Sequence, residues 1–263
     1  MAPRTQFGAE SLTMTKADRY LSVLRALADW EPYLLAESGL PGPRGNLELA
    51  QAVADEGREE QFRRWLALGP EQAPVNSPHE FLTFCGVVGM GRLLAEGRRD
   101  VLATLRPLAS DPRWRTREAV AMALQRWGDA DMEGLLAEMA GWAKGGPLEQ
   151  RAAAAALCEP RLLRDPGHAV AVLGILDEIT GAIPHVSDRR SEAFKVLRQG
   201  LGYCWSVAVA ACPDKGKPLM EKWCASADPD VRWIMRENLR KNRLARIDAE
   251  WVAQLQARVG MTS

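Results

Sequence analysis

Four segments of this chain open with arginine and then read as the same small-residue helix. Arg117-Glu-Ala-Val-Ala-Met-Ala-Leu124 has the pattern of Arg190-Ser-Glu-Ala-Phe-Lys-Val-Leu197 and of Arg232-Trp-Ile-Met-Arg-Glu-Asn-Leu239. Arg151-Ala-Ala-Ala-Ala-Ala-Leu157 is a copy one residue short. The copies follow one another at about 35–40 residues, a period that marks stacked supersecondary units. A helix pair of that length cannot bury its apolar faces alone, so it must stack on its neighbours. Two junctions before the copies carry Asp-Pro, in Ala109-Ser-Asp-Pro-Arg-Trp114 and Ala227-Asp-Pro-Asp-Val231. Aspartate there can accept from the unpaired N–H groups of the next helix, and proline needs no donor.

The remaining pattern is helical as well. Tyr20, Leu21, Leu24, Leu27 and Ala28 recur at three- and four-residue spacing from Lys16 onward. Asn46 and Ser77-Pro78 are N-terminal signals for helices over Leu47–Glu56 and up to Glu96, and a short helix is expected at Glu31–Glu37. Further helices are expected over 59–68, 99–109, 115–127, 131–144, 148–158, 167–183, 188–211, 216–227, 231–243 and 250–259. Trp127-Gly128-Asp129-Ala130-Asp131 reads as a loop. No stretch alternates as a strand would. The expected division is a loose tail over 1–14, helical pairs over 15–97 and repeats over 98–263, the last two forming one continuous solenoid.

Over roughly residues 98–247 the Arg-led helices and Asp-Pro turns resemble HEAT repeats. The resemblance implies an all-α superhelix of stacked antiparallel helix pairs, whose second helices line a concave binding face.

Composition narrows the functional classes. Lys plus Arg, at 34, equals Asp plus Glu, so no global field draws nucleic acid or membrane, and any preference must come from local sorting of charge. The five cysteines (Cys85, Cys158, Cys204, Cys212 and Cys224) show no CxxC spacing and read as buried free thiols. No apolar run approaches the roughly 18 residues of a membrane span, and the N-terminus lacks a signal-peptide core, so a cytoplasmic protein is expected. Gly86-Val-Val-Gly-Met-Gly91 has the wrong order for a dinucleotide loop and reads as close helix packing. His79, His168 and His185 are scattered without metal-ligand spacing. No cofactor, metal or membrane is implied.

The strongest local feature is the stretch 231–246, with six basic residues and one acid, Glu237. On an ideal helix Arg232, Arg236, Arg240 and Arg243 fall within an arc of roughly 80°, beside a core-facing arc of Val231, Met235 and Leu239. Trp233 sits at the outer edge of the basic stripe. Asn238 falls within the apolar arc and must be hydrogen-bonded there. With Arg117, Arg151, Arg190 and Trp114 these residues could form one groove, where guanidinium forks meet phosphates and indoles stack on bases. The competing reading is structural: Asp111, Asp188, Asp228 and Asp230 are available to pair with the junction arginines. Tyr203-Cys204-Trp205 reads as core.

Trp233-Ile-Met-Arg-Glu237, and Arg117-Glu-Ala-Val after Ser110-Asp-Pro-Arg-Trp114, are similar to segments of the alkylpurine DNA glycosylase family, which is built on HEAT-like repeats. That resemblance implies a basic DNA-binding groove and base excision assisted by a carboxylate four residues after a tryptophan. The family's paired tryptophans followed by aspartate are absent here. The spacing is met by Trp114 with Glu118, Trp233 with Glu237 and Trp127 with Asp131. Three readings follow: a binding module with a concave Arg/Trp face for DNA or another anionic partner, a glycosylase for alkylated bases using Glu237, Glu118 or Asp131, and a protein–protein scaffold.

Overall fold

The computed structural model describes residues 15–261. The tail expected over 1–14 lies outside them. The described chain is all-α, and no strand occurs among the described residues. Its α-helices are α1 Lys16–Ala26, α2 Glu31–Ala36, α3 Leu47–Glu56, α4 Glu59–Leu66, α5 Pro78–Ala95, α6 Leu102–Leu108, α7 Trp114–Ala130 and α8 Met132–Trp142. They continue with α9 Pro147–Leu157, α10 Pro166–Ala182, α11 Glu192–Ala211, α12 Pro213–Cys224, α13 Pro229–Leu239, α14 Asn242–Ala245 and α15 Ala249–Arg258. None is long and apolar enough to cross a membrane.

Side-chain caps fix most of the starts. Asn46 Oδ1 accepts from the Leu49 N–H at 3.2 Å, and Ser77 Oγ from the Glu80 N–H at 3.3 Å with Pro78 as first helical residue. Asp228 accepts from the N–H groups of Asp230 and Val231, the cap expected of a junction aspartate. Asp111 behaves differently. It accepts from the Arg113 N–H at 2.7 Å and, through both oxygens, from the Arg113 guanidinium at 2.9 and 2.8 Å, so this junction is a buried ion pair.

The helices form two rows. α1, α3, α5, α7, α9, α11 and α13 each contact the next, while α8, α10, α12 and α15 contact one another in turn and pack on the first row. A continuous core runs between the rows and includes Trp65, Trp127, Trp142 and Trp205. Two close helix approaches occur at glycines of α5. A Cβ on Gly89 would lie 2.5 Å from the Phe62 ring, and one on Gly91 would lie 2.5 Å from Ala123 Cα, so α4 and α7 pack directly on α5 backbone.

Three expectations are corrected. Residues 127–130 are helical: Gly128 is small because Leu135 and Leu162 press against it, 2.7 and 3.0 Å from where a Cβ would stand. The helix expected over 231–243 ends at Leu239, where the Lys241 N–H turns back to the Asn238 carbonyl at 2.9 Å and α14 begins. Arg240 is therefore a cap residue, and Arg243 leaves the stripe to donate to the Tyr203 hydroxyl at 2.5 Å. Tyr203 is 45% exposed rather than core, whereas Trp205 is fully buried and donates to Thr180 Oγ1. Asn238, fully buried on α13, is hydrogen-bonded as its position required. It donates to the carbonyls of Leu201 and Ile234 at 2.8 Å and accepts from the Ser206 N–H at 2.7 Å.

Candidate functional site

The start of α7 is held by two inward arginines. Arg113, 2% exposed, pairs with Asp111 and donates to the Leu68 carbonyl at 2.9 Å. Arg115, 5% exposed, donates to Glu80 Oε2 at 3.2 Å, to the Gly42 carbonyl at 2.6 Å and to Asn76 Oδ1 at 3.2 Å. Trp114, between them, is turned outward and is 44% exposed, the one tryptophan of the nine classed as exposed. The Arg115 guanidinium stacks on its ring at 4.3 Å.

Trp114, Arg117 and Glu118 are spaced i, i+3 and i+4, so they share one face of α7. That face looks onto an open cleft of about 490 Å³, closed on the other sides by Arg151 of α9 and by Glu192, Val196, Gln199 and Gly200 on α11. Gly200 leaves room for the Arg151 stem, whose Cγ would lie 3.3 Å from an added Cβ. Arg151 donates to Glu118 and, at 3.3 Å, to the Arg117 carbonyl. Arg117 donates through one nitrogen to the carbonyls of Asp111 at 2.7 Å and Pro112 at 3.1 Å, and has no carboxylate partner among the described residues. Burial first, then the charge of Arg151, lowers its pKa, against the opposing pull of Asp111, Glu118 and Glu192. An anion entering the cleft would relieve that strain on the guanidinium charge.

Trp114 also lines a second hollow, of about 230 Å³. Leu40 and Pro43 wall it from the loop before α3, Leu47 from the start of α3, Phe81 and Phe84 from α5, and Met122 from α7.

The other expected residues are arranged differently. Trp233 and Glu237 pack on α11 at Gly202, where an added Cβ would lie 3.2 Å from each, and the Arg198 guanidinium covers the indole at 4.5 Å. Glu237 is paired with Arg240. Arg232 and Arg236 are half-buried with only long contacts to carbonyls, 3.5 Å to Val259 and 3.4 Å to Arg232 respectively. Arg190 is exposed, and its neighbour Arg189 forks across Asp228 and Asp230 at 2.7 and 2.9 Å. Asp131 caps α8 through the Gly134 N–H and is paired with Arg99, whose guanidinium lies 4.2 Å from the ring of Trp127. Trp127 is 2% exposed, so that pair is packing. Of the three Trp–acid spacings only Trp114–Glu118 opens on a cleft.

Sequence reasoning missed Glu80 and the second hollow. Their signal was weak: Gly39-Leu-Pro-Gly-Pro-Arg-Gly45 carries only breaker chemistry, and nothing in its composition says that it walls a hollow. Among the described residues no three His, Cys, Asp or Glu side chains gather as metal ligands. Compared with family models, with curated proteins and with solved structures, the chain matches none.

Proposed function

We propose that the chain is a HEAT-like helical solenoid, continuous over the described residues, that binds nucleic acid across the cleft between α7, α9 and α11. One observation carries this reading: an exposed indole and a guanidinium with no carboxylate partner among the described residues share one open face of α7. Trp114 offers a base a stacking surface, and Arg117 offers a phosphate its unused donors. Arg151, already neutralised by Glu118, shapes the wall more than it adds charge. Arg190, Arg232 and Arg236 lie outside this cleft and add positive charge along the later helices.

The test is fluorescence anisotropy with labelled single-stranded and duplex oligonucleotides at low salt. Trp114→Ala should weaken binding by about 1–3 kcal/mol, the usual value of one base–aromatic stack. Arg117→Gln should reduce the salt slope by roughly 0.7–0.9, the share of one phosphate contact. No binding at low salt refutes nucleic-acid recognition, and co-purification of one protein lost in Trp114→Ala would replace it with scaffolding.

A second reading is base excision, favoured by the placement of Glu118 four residues beyond the exposed indole with Arg151 orienting it. In hydrolysis the cationic base would leave as a neutral molecule with the bonding electrons, water would add to the sugar carbon and lose its proton to solvent, and the Glu118 carboxylate would stabilise the positive charge that develops on the sugar. Release of methylated bases from treated DNA should then vanish in Glu118→Gln and persist in Glu237→Gln. No release above background from the unaltered protein ends this reading.

A further inference from the structure

We infer that the second hollow, a slot lined by Trp114, is a second ligand site, for a small planar aromatic anion. The shape argues for a flat group. Three aromatic side chains, Phe81, Phe84 and Trp114, line a hollow of about 230 Å³, and Phe81 and Phe84 lie nearly parallel, 9° apart. In a chain only 6% aromatic, that concentration is a surface for ring stacking. Met122 adds a polarisable thioether to the same wall. The volume falls below the roughly 300–1,000 Å³ of drug-sized pockets, which limits the occupant to one small ring system.

The charge argues for an anion. The cationic side chains in the lining are Arg44, whose contact with Glu48 is long at 3.6 Å, and Arg115. Arg115 is already paired with the buried Glu80, which leaves the exposed Arg44 as the lining cation that a ligand carboxylate would meet. The single carboxylate in the lining, Glu118, is already held by Arg151. A nucleobase fits the slot less well, because its edge groups would meet aliphatic and aromatic carbon rather than a set of polar partners.

Titration calorimetry with 2-naphthoate, and with the neutral 2-naphthylmethanol, tests the assignment. The expected result is saturable binding of one naphthoate per chain, with the alcohol at least about tenfold weaker and Met122→Trp weakening naphthoate by at least about tenfold. Should Met122→Trp lower the unfolding midpoint, Gly45→Leu fills the slot from the opposite wall, where a Cβ meets Phe81 only at an ordinary 3.7 Å. The inference is overturned by absence of saturable binding, by unchanged affinity in a folded slot-filling variant, or by equal affinity for the alcohol. It stands apart from the nucleic-acid reading, since neither Met122 nor Gly45 lines the cleft.

Discussion

Replacing Gly91 by alanine sets two effects of opposite sign against each other. In a helix interior alanine is better than glycine by about 1 kcal/mol. At this position, though, the new Cβ would stand 2.5 Å from Ala123 Cα, 2.7 Å from its carbonyl oxygen and 2.8 Å from its Cβ. Carbon atoms sit best at about 3.5–4.0 Å, so α5 and α7 must separate by roughly 1 Å. Two of the three clashing atoms are backbone, so no rotamer change relieves them, and overpacking of this kind costs about 1–3 kcal/mol or more. Packing wins, and Gly91→Ala should lose about 1–2 kcal/mol net despite its better propensity. Gly141→Ala is the internal control. It is also helical, on α8, and nothing lies within 4 Å of its added Cβ, so it should gain about 0.5–1 kcal/mol. Urea unfolding by far-UV circular dichroism measures both, with unchanged m-values required for the comparison. A Gly91→Ala protein as stable as the parent would show that α5 and α7 do not approach as described, and the placement of α7 would fall with it.

The other predictions concern buried polar groups and caps. Asn238→Ala removes two hydrogen bonds joining α11 and α13 and a third within α13, and leaves the Ser206 N–H without that acceptor, a loss of about 3–5 kcal/mol; a change below about 1 kcal/mol in urea unfolding would contradict the network. Asp111→Ala strands the buried Arg113 charge and should cost about 3–5 kcal/mol, whereas Asp111→Leu combined with Arg113→Met should recover part of it. Asp131 is held below the usual carboxylate range first by the Gly134 N–H and then by Arg99, and Glu149 first by Arg106. Each folded pKa lies under its unfolded value, so the stabilisation is complete at neutral pH and fades as pH falls through the carboxylate range, between about pH 5 and about pH 2. Unfolding midpoints measured down that range should fall less steeply in Asp131→Asn, and parallel curves would refute the cap.

Helix existence was legible because it rests on local chemistry. Asn46, Ser77 and Asp228 cap where their sequence context says they should, and Asn238 finds partners because a buried amide on the apolar arc has no other stable outcome. What was misread depends on partners distant in sequence. Gly128 resembles a breaker, but its small size answers Leu135 and Leu162. The basic stripe at 231–243 is continuous on an ideal wheel, yet the turn at Lys241 and the contact of Arg243 with Tyr203 interrupt it. Adjacent arginines are also indistinguishable by pattern. Arg189 is taken by two aspartates while Arg190 stays in solvent.

The contrast between Trp114 and Trp233 shows why spacing alone could not locate the site. Both precede a glutamate by four residues on an Arg-rich helix. Trp233 lies in the first half of α13, where Gly202 of α11 offers a flat backbone surface and Arg198 closes over the ring, so the indole is consumed by packing. Trp114 is the first residue of α7, flanked by two arginines whose guanidinium groups are committed to buried carboxylates. With residues 113 and 115 both drawn inward, the side chain between them has no interior position left, and the indole must stand outside, lining both a polar cleft and an apolar slot. The exposure of Trp114 is thus a consequence of the two buried ion pairs. Glu80→Gln, which frees Arg115, should let the indole move, and nucleic-acid binding measured by anisotropy should weaken although no residue lining the cleft has changed; unchanged binding would refute the coupling.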